Sequence, residues 1–421
     1  EKPTSSMAVI YGRRRVGKTR LIEKFSEPFK TYSFTGLHPD LHLTNKEQLN
    51  EFANQISLEF KTQKTNYQDW SEAFYDLAKR TQEGRSIIIF DEITWLGAKD
   101  SSFLGKLKIA WDKYFKKNHK LIFIICGSVS SWIYKNILSS TGFHGRISLT
   151  LRLQELPLQV CKNFWGKISN NISSYEKLKL LSVTGGIPKY LEEINLKDSA
   201  EENIKRLAFL ESGILFNDFR QIFSDSLYSH NDIYQKIVRL LSSHNLTQRE
   251  IAKALTINAG GTLSNYLENL CLAGFITKHY SWNIRTTNVS NISYYRLSDN
   301  YLRFYLKYIL PNHQKITSGH FEFNSFNTLP AWSIIAGLQV ENLVLNNRHE
   351  IIERLNVDKS EIICDGPYTQ RKTTKHAGCQ IDYMIQTKFN NLYLCEIKFS
   401  RNTIGRSIIG EINKKIKALA T

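Results

Sequence analysis

Residues 8–23 read AVIYGRRRVGKTRLIE. Gly12, Gly17, Lys18 and Thr19 fit the phosphate-binding pattern G-x-x-x-x-G-K-[ST], with Arg13, Arg14, Arg15 and Val16 between the glycines and Arg20 after them. The apolar run at 8–11 enters the loop as a strand, and Leu21, Ile22 and Phe25 leave it at helical spacing. Such a loop turns successive backbone N–H groups inward as an anion nest, and the next helix adds its positive N-terminal end. Lys18 is placed to reach the β- and γ-phosphates of a nucleoside triphosphate, and the Thr19 hydroxyl to ligate Mg²⁺. A glycine-rich loop with a lysine is sometimes only a turn, but here the whole pattern stands between strand and helix.

Working outward, residues 87–92 read IIIFDE, an unbroken apolar run ending in two acids. Such a run predicts a strand buried on both faces of a parallel sheet, whose C-terminal edge is where ligands sit. Asp91 would hold Mg²⁺ through its water shell, and Glu92 would polarise the water attacking the γ-phosphate. A third apolar strand, 121–126, ends in Gly127 and Ser128. Ser128 either senses the γ-phosphate or caps a helix before Trp132.

The loop GRRRVGKT, the strand IIIFDE, the strand IFIICGS, the Gly145-Arg146 pair and the later TGGIPKYL, in that order, resemble the archaeal-type ATPase family. That family belongs with the STAND branch of the AAA+ relatives, and many members carry a nuclease-like C-terminal domain. The resemblance implies ATP and Mg²⁺ as cofactors. It puts Arg146 where an arginine meets the γ-phosphate, and Pro188 in a G-x-P motif near the nucleotide base. Without it, residues 185–188 read as an ordinary turn. Relatives usually carry a helix ahead of the loop, whereas eleven residues precede Gly12 and the chain stops soon after its last motif. Truncation at both ends is the corresponding expectation.

A chain of 421 residues exceeds one compact core, so two to four domains are expected. No apolar run approaches the roughly 18 residues of a membrane span, and the N-terminus does not read as a signal peptide. The six cysteines are scattered without a C-x-x-C pair, which suits a reduced cytoplasm and gives no support to a zinc site. The net charge of +17 points to a phosphate-rich partner, DNA above all, although lysine-rich composition alone raises charge too.

Residues 232–280 have a layout of their own. A helix over 233–241 is followed by Thr247 and Glu250 as a capping box, and Ile251, Ala254 and Leu255 then continue at helical spacing. Leu263, Tyr266, Leu267 and Leu270 form the next helix, and strands near 275–277 and 294–297 pair behind it. This is the winged-helix order. In DNA-binding examples the last helix enters the major groove and the wing touches backbone. Thr262, Ser264 and Asn265 would then face bases, with Lys278 and His279 on or near the wing. That helix contains no Arg or Lys, so a lid or interdomain brace is the competing reading. Phe304, Tyr305 and Tyr308 predict a packed helix joining two domains.

The last segment holds a second constellation. Asp382 sits on one predicted strand and Glu396 and Lys398 on another, 392–399, with a turn at 388–391 between them. Alternation puts Glu396 and Lys398 on one face, and Asp382 joins them if it lies opposite Glu396. Two acids that bind Mg²⁺ and a lysine that steadies the attacking hydroxide suit phosphodiester hydrolysis. The pattern resembles the PD-(D/E)XK nucleases, with Glu341 where that fold often places a further acid. A degenerate fold that binds without cutting is the alternative.

The expected fold is α/β: a P-loop NTPase parallel sheet (1–150), a helical subdomain (151–228), a winged helix (229–300), a linker helix (301–330) and a mixed α/β nuclease-like domain (331–421). The expected function is a switch ATPase acting with a nucleic-acid-directed, Mg²⁺-dependent nuclease-like domain. In it ATP gathers Lys18, Asp91, Ser128 and Arg146. The alternative is a signalling or scaffold ATPase with an inactive nuclease fold and a protein partner. A homo-oligomer is open in both.

Overall fold

Five apolar strands, β1 (Ser6–Tyr11), β2 (Lys30–Thr35), β3 (Ser86–Asp91), β4 (Leu121–Gly127) and β5 (Ile147–Arg152), form one parallel sheet in the order β2-β3-β4-β1-β5. The structure, a computed structural model, describes residues 4–38, 42–226, 231–372, 374, 377–389 and 391–419. Strand alternation sorts side chains to two faces. Met7, Val9, Ile88, Phe90, Phe123 and Ile125 meet helices α2 (Asn45–Phe60), α3 (Trp70–Arg80) and α4 (Phe103–Lys113). Ala8, Ile10, Ile89, Ile124 and Cys126 meet Ile22 of a further helix, α1 (Lys18–Ser26), on the opposite face. Rings such as Phe52, Phe74 and Phe90 are fully buried, each contributing roughly 2 kcal/mol over an exposed site.

This order fixes where the chemistry opens. β4 separates β1 from β3, so the loop after Tyr11, the acids after Phe90 and Ser128 after Gly127 emerge side by side on the C-terminal edge. The outer edge of β2 is closed by α2. Gln55 accepts from the Thr35 amide at 2.9 Å and donates back to the Thr35 carbonyl at 3.0 Å.

Contacts divide the chain into two units, residues 1–154 and 155–421. The second begins with helices, among them Ser174–Thr184, Pro188–Glu192 and Ala200–Ala208. The expected boundary at 228–229 and Asn390 of the expected turn lie outside the described residues. Helix α5 (Asn231–Leu241), strand β6 (Leu246–Thr247), helices α6 (Gln248–Leu255) and α7 (Gly261–Ala273), and strands β7 (Ile276–Trp282) and β8 (Val289–Leu297) then follow. They stand in the order read from the sequence, with the sheet ordered β6-β8-β7. The capping box forms: Thr247 accepts from the Glu250 amide, and Glu250 accepts from the Thr247 amide at 2.7 Å.

The expected joining helix forms as one irregular helical run. An α-turn at Asn300–Phe304 passes into a π-turn at Tyr305–Ile309 and a 3-10 turn containing Pro311, which has no N–H to continue an α-ladder. Phe304, Tyr305 and Tyr308 are buried, as expected for a packed helix. Helix α8 (Trp332–Asn346) follows, then β9 (Ile362–Gln370), β10 (Cys379–Thr387), β11 (Leu392–Cys395) and helix α9 (Ser407–Ala418), with an antiparallel sheet β11-β10-β9.

Strand β7 packs against β9. Trp282 donates to the Gln386 side chain at 2.7 Å, and Gln386 donates to the Ile284 carbonyl at 2.7 Å. Trp282, Ile284, Tyr368, Ile381 and Met384 share one core. Among the described residues, no helix is long and apolar enough to cross a membrane.

Candidate functional site

The loop after β1 needs its glycines. A Cβ on Gly12 would stand 2.2 Å from the Leu153 carbonyl oxygen, and Gly17 holds φ +90° at the start of α1. Lys18 is 7% exposed, and its Nζ donates to the carbonyls of Gly12 at 2.9 Å and Arg13 at 3.0 Å. Burial lowers its pKa, while Glu92, Cys126 and Asp91 pull the other way. Thr19 is exposed at the first turn of α1, and with Asp91 it lines a cavity of about 460 Å³. Arg13 is buried, Val16 is 2% exposed beside it, Arg14 and Arg15 are half-buried, and Arg20 points outward near Glu23. A loop with two required glycines, a buried ammonium at its end, and Thr19 and Asp91 lining one cavity beside it fit a Mg²⁺–nucleoside triphosphate.

Glu92 has left-handed backbone, φ 47°, which turns the chain sharply out of β3. Its carboxylate accepts from the Ser128 amide and from the Ser128 hydroxyl, each at 3.0 Å. Ser128 therefore does not cap the following helix; that helix, Ser130–Ile133, begins after Val129 without a side-chain cap. Sequence reading missed Cys126. Its thiol is fully buried, and burial followed by the Asp91 charge pushes its pKa up.

Arg146 is paired away from the loop. Its guanidinium forks onto Asp112 with two bonds of 2.8 Å, which hold the Asp112 carboxyl down at about 2. Ile147 pairs with Met7 and Arg152 with Tyr11, so Arg146 stands at the N-terminal edge of the sheet. The loop lies at the other end of β1, roughly 15 Å away at strand rise. Within one chain, Arg146 does not join Lys18, Asp91 and Ser128.

Pro188 opens its short helix in the second unit. The glycines before it are structurally required, because a Cβ on Gly186 would lie 2.2 Å from the Leu156 carbonyl oxygen.

The second constellation is rearranged. Tyr383 pairs with Cys395 as the last pair of the β10–β11 ladder, so Asp382 and Glu396 fall just beyond it. β11 ends at Cys395, and beyond it the chain leaves the strand. Asp382 sits at a bulge in β10 and accepts from the Ile397 amide at 2.9 Å. Glu396 turns inward, 4% exposed, onto Lys415, with Lys398 at 3.8 Å. A cavity of about 500 Å³ is lined by Glu341, Asp382, Lys398 and Glu411, not by Glu396. Glu341 also faces the buried Arg296 at 3.5 Å. Burial raises the Glu341 pKa, with Arg296 opposing and Asp382 adding to the rise. Among the described residues no group of three His, Cys, Asp or Glu side chains is arranged to hold a metal ion.

His279 and Lys278 lie on β7 of the β7–β8 hairpin, where the sequence reading put them. His279 bonds Thr277, and burial, with Arg296 and Arg348 nearby, drives its pKa down to about 3. The imidazole is half-buried and uncharged near neutral pH. Lys278 lies over the rings of Tyr280 and Tyr295. Thr262, Ser264 and Asn265 are exposed on α7.

The sheet order and the loop define residues 1–154 as a P-loop ATPase fold. A family of ATPase domains predominantly from Archaea matches residues 1–194, and that region is an ATPase domain of this type. An uncharacterized protein of Methanocaldococcus jannaschii is 29% identical over 319 residues, 75% of this chain and 66% of the relative; the chain thus spans just under two thirds of that relative's length. A Walker-type ATPase of Pyrococcus abyssi shares the fold with a TM-score of 0.52 at 19% identity, over 71% of this chain and 90% of that one. The ORC2 protein of Aeropyrum pernix aligns with a TM-score of 0.42 at 12% identity, over 74% and 89% of the two chains.

Proposed function

We propose that the chain is an ATP-hydrolysing switch whose nucleotide state governs a nucleic-acid-directed second unit. The Glu92 carboxylate on the Ser128 amide and hydroxyl, beside the buried Lys18, carries this reading. Mg²⁺, held by Thr19 and Asp91, would supply charge neutralisation at the phosphates. Lys18 exchanges its two carbonyl partners for phosphate oxygens. Glu92, once released from Ser128, takes the proton of the attacking water. The bonds to Ser128 hold that base in check, so two states differ in one carboxylate's partner. Arg146 would act only on a nucleotide held by a second copy, and Pro188 would border the base.

Ser128→Ala removes one of the two restraints on Glu92. Basal ATP turnover in that variant is expected to rise about threefold, with unchanged nucleotide affinity. A fall in turnover instead would show that Ser128 serves the reaction directly.

The second unit supports two readings. The elements of the winged-helix order and the +17 charge favour DNA as partner. Glu396 locked on Lys415 favours an inactive nuclease fold, as in a scaffold ATPase with a protein partner. Mg²⁺- or Mn²⁺-dependent cleavage of plasmid and single-stranded DNA, with and without ATP, separates them. Cleavage lost in Asp382→Ala establishes a working nuclease; no cleavage by the wild type, with ATP still hydrolysed, leaves the scaffold reading.

A further inference from the structure

The β7–β8 hairpin that the winged-helix reading offers to phosphate is engaged along β7. β7 packs on β9, and Trp282 and Gln386 bond across that junction. Helix α7 itself carries no Arg or Lys among residues 261–273. A duplex docked on α7 would therefore need its phosphate contacts from elsewhere.

The turn after β9 supplies them. Arg371 donates to the Tyr294 hydroxyl at 3.0 Å, and its guanidinium lies 3.9 Å from Glu250. Tyr294 is the ladder partner of Thr247, the residue that caps α6. Gln248, the first residue of α6, donates to Ser264 on α7 at 2.8 Å. These contacts join the end of β9, the first turn of α6 and the first turn of α7 into one continuous surface. Arg249, Lys253, Arg371 and Lys372 are exposed on it. The Glu250 carboxylate is engaged by the Thr247 amide and hydroxyl. The uncharged hydrogen-bonding side chains Thr262, Ser264 and Asn265 lie within this basic frame.

We propose that duplex DNA docks on this surface, with α7 toward the base edges and Arg249, Lys253, Arg371 and Lys372 on the flanking phosphates; the proposal rests on the nucleic-acid reading above. The C-terminal sheet thereby does the work of a wing. Cations on neighbouring elements position the duplex, and the polar groups of α7 meet the groove. The ring of Tyr294, 5.8 Å from the Arg371 guanidinium, and its hydroxyl hold that side chain in place before binding.

The test is fluorescence anisotropy of a labelled duplex of about 20 base pairs with the full chain, from roughly 50 to 200 mM salt. Wild type, Arg371→Ala/Lys372→Ala, Arg249→Ala/Lys253→Ala and Lys359→Ala are compared after circular dichroism shows equal folding. Each double variant is expected to bind at least about tenfold more weakly and to lose about 2 from the salt slope, with Lys359→Ala like wild type. Wild-type binding that both double variants retain, or lose without a change of slope, overturns the surface and leaves the nucleic-acid reading standing. A wild type that does not bind the duplex at any salt overturns that reading, and the surface with it.

Discussion

Lys18→Ala lowers ATP turnover by on the order of 10²–10³ or more, to background in a steady-state assay. The ammonium is nearly buried and bonded to two carbonyls of its own loop, so it is already aimed inward where phosphate charge must be met. Alanine leaves that charge without a partner and restores nothing in its place. The buried sheet residues around Ile10, Ile89 and Ile124 do not depend on Lys18, so the variant is expected to melt near the wild-type temperature. Lys18→Arg fails as well, because a planar guanidinium does not fit a position 7% exposed between two carbonyls. Normal turnover in Lys18→Ala would remove the phosphate-loop assignment altogether.

Glu92→Gln separates binding from chemistry. Glutamine keeps the length and accepts the left-handed backbone that glutamate already adopts at φ 47°. Its amide oxygen still receives a bond from Ser128, so the edge of the sheet stays folded. It no longer takes a proton, and turnover is expected to fall by about 10²–10⁴ with ATP affinity within a few-fold of wild type. Equilibrium binding of a fluorescent nucleotide, read beside single-turnover hydrolysis, checks both halves. Lost binding would contradict the role of Glu92 as base.

The two units differ in how their partners relate to the paired acids. In the first, Glu92 is bound to neutral donors that it can leave. In the second, Glu396 is bound to a lysine and is 4% exposed, so freeing it would leave a buried carboxylate without its cation. The cavity acids Glu341 and Asp382 are thus the groups through which any metal chemistry there would run, with Arg296 restraining the first.

Much of this was legible along the chain. The strand, glycine loop and helix at 8–23, the apolar run into Asp91 and Glu92 and the capping box at Thr247 all follow from periodicity, turn chemistry and backbone conformation over a few residues. Those are local properties, set by sterics and hydrogen bonding between near neighbours, and the sequence carries them directly. The partners of the side chains are another matter. Arg146 belongs to Asp112, 34 residues away, Glu92 to Ser128, 36 away, and Trp282 to Gln386, 104 away. Which edge of the sheet Arg146 occupies depends on strand order and register, and whether the wing is free depends on what packs against β7. Such contacts arise only when elements with interchangeable apolar faces choose one stacking, because burial rewards any close fit and leaves no local mark of which fit was taken.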